Sequence, residues 1–189
     1  MTTYRIYKPK LRAEFSYQCA YCQTREPEVG GCKSFHIDHY RPKKKFPDLI
    51  NAYNNLIYAC RDCNTYKQDY WPNFAELLRG YIIVNPREDH IETHIDTSKF
   101  IWRGKTSRGN WTVKKLRLDS TILSQRREDR IRIENKIQKL ADVVEDAKIN
   151  LEIAKQEQDW KKIEALNKFI MDETNNIDSF KRKIIGPMD

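Results

Sequence analysis

The chain has 189 residues, enough for one ordinary domain plus an appendage. Of these, 39% are hydrophobic and 33% charged, which fits a soluble protein with a modest core. It contains no run of about 18 apolar residues and no apolar N-terminal stretch, so we expect neither a transmembrane helix nor a secretory signal, and we predict a cytoplasmic protein. The net charge is +8, yet residues 120–189 carry 14 basic and 14 acidic residues, so the whole excess lies in residues 1–119 and suggests a polyanionic partner there.

The first region extends to about residue 80 and contains all five cysteines. Its short apolar runs predict strands at Ser34–Tyr40 and Leu56–Cys60, separated by turn residues. Helices are predicted to begin in Asn64–Gln68 and Phe74–Leu78.

Two C-x-x-C pairs, Cys19/Cys22 and Cys60/Cys63, bracket 37 residues of this region. Each pair places two thiolates on one tight turn, which suits half of a tetrahedral zinc site. Four thiolates leave no open coordination position, so the predicted role of Zn²⁺ is structural. Cys32 is left over and is interpreted as a spare thiol.

The loop between the pairs carries Asp38-His39 and Asn55-Leu56, and the second pair continues as C-x-x-C-N-x-x-K through Asn64 and Lys67. This combination resembles the HNH (ββα-metal) endonuclease family. The resemblance covers Cys19 to about Lys67 and implies two antiparallel strands followed by a helix.

The resemblance also implies a role for each motif residue in phosphodiester hydrolysis. Asp38 and Asn64 would bind a catalytic Mg²⁺ or Mn²⁺, since both supply oxygen ligands. His39 would be the general base, and its ordinary pKa near about 6.5 suits that task. Asn55 would orient the loop that carries His39. The predicted phosphate contacts are Arg41, Lys43, Lys44, Lys45 and Lys67.

The second region, residues 81–118, shows strand-like alternation in YIIV, HIETHID and FIWRG, with Gly104 and Gly109 predicted in turns. This pattern favours a small β extension after the core. His90 and His94 would then lie on one strand, too far apart to share a metal ion easily, so we interpret them as structural or substrate-contacting.

From about residue 119 the pattern becomes helical, with Asp119 or Ser120 as the predicted N-cap. Apolar residues recur by four and three, as in a coiled-coil seam, and a second periodic run follows a polar break near Glu157–Asp159. We favour an antiparallel helix pair over one long helix. The two seams are Ile133, Ile137, Leu140, Val144, Ala147, Leu151 and Ala154, then Trp160, Ile163, Leu166, Ile170, Ile177, Phe180 and Ile184.

The string IDHYRPK, the run NNLIYACRDCN and the later WTVKKLRLDSTILSQRRE resemble a prokaryotic HNH subgroup found in retron-associated and Septu-type antiphage systems. That resemblance implies a defence effector that cuts DNA together with a partner, an ATPase or sensor. The helical tail is then a docking surface or a self-association surface, and no membrane partner is expected.

The predicted architecture is α+β: a zinc-stabilised ββα-metal nuclease domain with a β extension at residues 1–119, and a helical tail at residues 120–189. Two other interpretations stay open from the sequence. One is a non-catalytic zinc-ribbon module that binds nucleic acid. The other is an interaction subunit with a degenerate nuclease core.

Overall fold

The computed structural model describes residues 3–185. The chain separates into two compact units, with the division between Glu128 and Asp129. The domain boundary predicted at residues 119–120 lies slightly earlier and stays a prediction. The α-helices are α1 (Lys8–Glu14), α2 (Arg61–Lys67), α3 (Phe74–Leu78), α4 (Ile91–His94), α5 (Ser107–Leu116), α6 (Thr121–Gln156) and α7 (Trp160–Ile184). The strands are β1 (Phe35–His39), β2 (Leu56–Cys60), β3 (Ile95–Asp96) and β4 (Arg103–Gly104).

The centre of the first unit is the antiparallel pair β1–β2, in which Asp38 lies opposite Ile57 and His39 lies opposite Leu56. Every residue of β2 is buried, as expected for a strand rich in aromatic and branched side chains that is covered on both faces. α2 begins at the residue after β2. This strand–strand–helix unit confirms the predicted ββα core.

The core around the strands includes a buried carboxylate that is fully paired. Phe35 and Tyr58 stack with ring centroids 4.8 Å apart. Glu26 accepts hydrogen bonds from Arg12 Nε at 2.7 Å and Nη2 at 2.8 Å, and from the Tyr58 hydroxyl at 2.5 Å. These partners offset the cost of removing the Glu26 charge from water. The side chains with no exposed surface include Leu11, Leu56, Ile95, Leu116 and Leu118.

The β extension is much smaller than the alternation predicts. Residues 81–84 form no strand, HIETHID forms α4 followed by β3, and the β3–β4 pair has only two residues on each side. Most of the remainder is α5, which the alternation did not predict. Thr106 caps this helix by accepting a hydrogen bond from the Gly109 amide at 3.1 Å.

The two glycines assigned to turns have a different role. Gly104 lies in β4 and Gly109 lies inside α5. A Cβ atom at Gly104 would come within 2.1 Å of the Asn110 amide nitrogen, and one at Gly109 within 1.8 Å of the His94 carbonyl oxygen. The prediction of turns was therefore wrong: Gly104 allows β4 to approach α5 closely, and Gly109 allows α5 to approach the end of α4 closely.

The strand-like placement of His90 and His94 was also wrong. His90 precedes α4 as its N-cap residue, and His94 is the last residue of that helix. The His94 Nδ1 atom lies 2.9 Å from the Thr106 hydroxyl oxygen, a contact that ties α4 to the start of α5. This contact supports the structural interpretation of His94.

The second unit consists of the rest of α6 together with α7. α6 ends at Gln156 and α7 begins at Trp160, with Asp159 accepting a hydrogen bond from the Lys162 amide at 3.1 Å. Lys136 lies 4.3 Å from the Phe180 ring centroid, so the early part of α6 faces the late part of α7. The predicted antiparallel helix pair and its break are confirmed. Buried seam residues are Val144, Ala147, Leu151, Ala154, Ile177 and Ile184.

One predicted seam residue is misplaced, because Trp160 is 75% exposed at the start of α7. At the other end of the tail, the Leu123 amide lies 3.4 Å from the Ser120 hydroxyl, which supports Ser120 as the cap of α6. Within residues 3–185, no helix has a stretch long and apolar enough to cross a membrane.

Candidate active site

The four paired cysteines meet in one buried cluster. Their sulfur atoms all lie within 4.8 Å of one another, and the Cys22 and Cys60 Sγ atoms are 3.7 Å apart. A tetrahedral zinc ion with Zn–S bonds of about 2.3 Å requires S···S distances near ~3.8 Å, so the donor set fits Zn²⁺. The predicted cluster is confirmed as compatible with zinc. Cys32 is exposed and lies outside it.

The cluster joins the turn that carries Cys19 and Cys22, called the N-terminal knuckle below, to the β1–β2 pair. Cys60 is the last residue of β2, and Cys63 lies in the first turn of α2. Cys19 directly precedes the turn at residues 20–22, and Cys22 is the last residue of that turn. The Ala20 amide donates to the Tyr58 carbonyl at 2.9 Å, so the knuckle is also hydrogen-bonded to β2. This turn is therefore held to β2 by the cysteine cluster and by the Ala20–Tyr58 backbone hydrogen bond.

Asp38 lies in the protein interior, 5% exposed, with a donor on each carboxylate oxygen. The Tyr21 hydroxyl donates to Oδ2 at 2.6 Å, and Lys67 Nζ donates to Oδ1 at 3.0 Å. Burial, and then the charge of Asp38, raises the pKa of Tyr21 well above its ordinary value, so the hydroxyl keeps its proton and remains a donor. Tyr21 was not among the predicted site residues, and the one signal for it in the sequence is its position between Cys19 and Cys22.

Lys67 has a different position from the one predicted. Its side chain is 1% exposed, and Nζ donates to the His39 carbonyl at 2.7 Å as well as to Asp38. The ammonium group is therefore unavailable to a phosphate in this structure. We reassign Lys67 from phosphate contact to positioning residue, since it ties α2 to the end of β1.

Replacing Lys67 with methionine is expected to lower the free energy of unfolding by about 3–5 kcal/mol, because it leaves the buried Asp38 carboxylate without its counter-charge. Urea unfolding of the zinc-loaded protein measures this change. Lys44→Met is the matched control, since Lys44 pairs with Asp69 at 3.0 Å but is 82% exposed; we expect a loss below about 1 kcal/mol there. Equal losses in the two variants would refute the buried pair.

His39 is held in one orientation at the end of β1. Its Nε2 atom lies 2.9 Å from the Ile50 carbonyl oxygen, which can only accept, so Nε2 carries the proton. The lone pair of the neutral ring is then on Nδ1. Burial lowers the pKa of His39, and it outweighs the opposing hydrogen bond to Ile50. The neutral ring is the form that can accept a proton.

The Asn55 side chain forms three hydrogen bonds with the loop that follows His39. Its Oδ1 accepts from the Arg41 amide at 2.8 Å, and its Nδ2 donates to the carbonyls of Arg41 at 3.0 Å and Leu49 at 3.2 Å. Asn55 is buried and does not line the pocket described below. Its contacts support the predicted positioning role, because the same loop supplies the Ile50 carbonyl that holds His39.

Asp38, His39 and Asn64 open onto one surface pocket of about 210 Å³. β1 contributes the first two residues and α2 contributes the third. α2 ends at Lys67, and the following residue, Gln68, has a φ of 54°, in the left-handed region that non-glycine residues rarely occupy. The complete lining is Ile37, Asp38, His39, Pro42, Lys43, Asn64, Gln68 and Asp69.

The other four basic residues predicted to contact phosphate are exposed on the loop after β1, but their surroundings differ. Lys43 lines the pocket. Lys45 Nζ donates to the Trp71 carbonyl at 3.0 Å, and the Arg41 guanidinium lies 5.5 Å from the Trp71 ring centroid. Lys43 is thus the basic residue best placed to meet a substrate in the pocket.

Comparison with known proteins agrees with this geometry. Residues 19–69 match the family model of the HNH endonucleases. The Septu protein PtuB from Bacillus thuringiensis is 29% identical over 102 residues, which make up 54% of this chain and 37% of that protein. The match thus covers little more than a third of the relative's length. No solved structure matches the chain. The chain therefore carries an HNH endonuclease domain at residues 19–69 and is homologous to Septu PtuB over the aligned part.

Proposed function

We propose that the protein is a metal-dependent endonuclease that hydrolyses phosphodiester bonds in DNA and acts in antiphage defence. The observation that carries the nuclease assignment is the single pocket that Asp38, His39 and Asn64 share. The choice of DNA follows from the HNH family, and the defence role from the similarity to a Septu protein.

His39 is the proposed general base. The Ile50 carbonyl holds the protonated Nε2 atom, so Nδ1 is the atom that takes a proton from the attacking water. The surrounding loop is fixed through Asn55, which keeps the imidazole from turning away from the pocket. Fixed orientation matters because a small displacement of a catalytic group lowers the rate steeply.

Asp38 and Asn64 are the proposed ligands of Mg²⁺ or Mn²⁺. The donor chemistry fits, because carboxylate and amide oxygens are the ligands that these cations prefer, and two protein oxygens are enough when waters complete the shell. Each Asp38 oxygen accepts one hydrogen bond and keeps a second lone pair. When bound, such a cation stabilises negative charge on the phosphate and the leaving oxygen.

Substrate binding is assigned to the exposed basic loop, with Lys43 nearest the reacting phosphate. Contacts of this kind act on the DNA backbone and predict weak sequence preference with a steep dependence on salt. The helical tail is the proposed surface for a protein partner or a second copy. Its 75% exposed Trp160 supports this assignment, since exposed tryptophan is common at the centre of protein interfaces.

Incubation of supercoiled plasmid with the zinc-loaded protein tests the proposal. We expect nicked and linear products with Mg²⁺ or Mn²⁺, and no products with EDTA or with His39→Ala. Because EDTA also withdraws zinc, a second arm omits Mg²⁺ and Mn²⁺ without adding EDTA, and it must show no cutting until either cation is added. A parallel RNA substrate distinguishes DNA from RNA specificity.

Equal cutting by the wild type and by His39→Ala would contradict the proposed role of His39, and cutting that also survives EDTA would contradict metal dependence. Failure to cut plasmid, linear duplex or single-stranded DNA with either cation would contradict the proposal and favour a zinc-ribbon binding module.

A further inference from the structure

The chain before the HNH match contributes a segment next to the catalytic histidine. Residues Tyr4–Tyr7 form a 3₁₀ turn that leads into α1. α1 is anchored to the domain by Leu11, which is fully buried, and by Lys8, whose Nζ donates to the Phe35 carbonyl at 2.7 Å. This segment is therefore attached to the start of β1, the strand that ends in His39.

Tyr4 contacts the His39 ring directly. The ring centroids are 4.7 Å apart and the planes meet at 83°, an edge-to-face arrangement that aromatic pairs prefer. The Tyr4 amide donates to Asn51 Oδ1 at 3.0 Å, whereas His39 is held by the carbonyl of the preceding residue, Ile50. Two consecutive loop residues thus hold the His39 ring and the backbone of Tyr4 next to each other.

The Tyr4 ring also borders the charged rim of the pocket. Lys43, which lines the pocket, has its Nζ 5.3 Å from the Tyr4 ring centroid, a cation–π distance. Burial raises the pKa of the Tyr4 hydroxyl, but neighbouring Arg5 and Lys43 lower it by more, so the net direction is down. The Tyr4 ring therefore lies between the imidazole of His39 and the ammonium group of Lys43 and contacts both.

We propose that Tyr4 is a positioning residue for His39, so that the N-terminal segment outside the HNH match completes the active site. The hydrogen bond from Nε2 fixes one atom of the imidazole, and the Tyr4 ring restricts rotation of the plane about that point. With both contacts, Nδ1 keeps one direction. The inference rests on the proposed role of His39 as the general base.

Kinetics of Tyr4→Leu and Tyr4→Phe test the proposal. Leucine keeps apolar bulk but removes the ring, and we expect kcat for plasmid cleavage to fall about two- to tenfold with KM unchanged. Phenylalanine keeps the ring and should restore kcat to within about twofold of the wild type. Ile6→Ala is the matched control, because Ile6 lies in the same turn and is 55% exposed; its kcat should not change.

The NMR signals of the histidine ring protons give a readout without substrate or catalytic metal. The chain has four histidines, and the His39 signal is the one lost in His39→Ala. Tyr4→Leu should shift this signal by removing the ring current, whereas Tyr4→Phe and Ile6→Ala should leave it in place. Thermal unfolding shows whether each variant is folded.

An unmoved His39 signal in a folded Tyr4→Leu variant would overturn the contact. An unchanged kcat in that variant would overturn the positioning role. A wild-type protein that cuts nothing, yet shows the Tyr4-dependent His39 shift, would instead overturn the proposed function, so the two failures are distinguishable.

Discussion

Replacement of His39 with alanine is expected to lower kcat for plasmid cleavage by about 10²–10⁴-fold, the usual contribution of a positioned general base. The variant removes the imidazole, the proposed proton acceptor in the pocket, and leaves the contact between Lys67 and Asp38 in place. DNA affinity should change little, because the exposed basic loop is left intact. Initial rates at saturating DNA measure the effect.

His36→Ala is the matched control for this experiment. His36 lies on the same strand, is exposed and does not line the pocket. We expect its kcat to equal that of the wild type. Comparable losses in both variants would mean that damage to β1, rather than loss of the base, explains the result. A His39→Ala enzyme that retains more than about a tenth of wild-type activity would contradict the assignment.

The second large effect is expected for Cys60→Ser, which removes one of the four cysteines of the cluster that fits zinc. Structural zinc in small domains has apparent binding free energies of about 10–16 kcal/mol, and this energy stabilises the fold. We expect the wild type to carry one zinc ion per chain and the variant to lose it on dialysis. Metal analysis and thermal unfolding measure the two consequences.

Loss of zinc should also abolish cleavage, because Tyr21 lies between Cys19 and Cys22 and donates to Asp38. Once zinc no longer holds the turn that carries Cys19 and Cys22, we expect the Tyr21 hydroxyl to move away from Asp38. Cys32→Ser is the control, since Cys32 is exposed and lies outside the cluster; its zinc content and unfolding temperature should match the wild type. If Cys60→Ser keeps stoichiometric zinc and wild-type unfolding, the structural site is refuted.

Short-range patterns predicted the parts of the fold that depend on neighbouring residues. Strand β2, helix α3 and the break between α6 and α7 lie where apolar spacing and turn residues place them. The alternation in residues 81–104 did not predict the structure, since only four of these residues pair as strands. The two glycines that looked like turn residues instead allow close packing of α5 against its neighbours. Close approach between elements leaves no local signal in a sequence.

The same division applies to the site around Asp38 and His39. The sequence by itself determined the motif: which residues carry oxygen, nitrogen and sulfur ligands, and in which order they follow one another. Only the tertiary structure decided which groups surround that motif, bringing Tyr21, Lys67 and Tyr4 to it from distant parts of the chain. The physical reason is burial: a carboxylate inside the protein needs partners, and packing alone determines which side chains reach it.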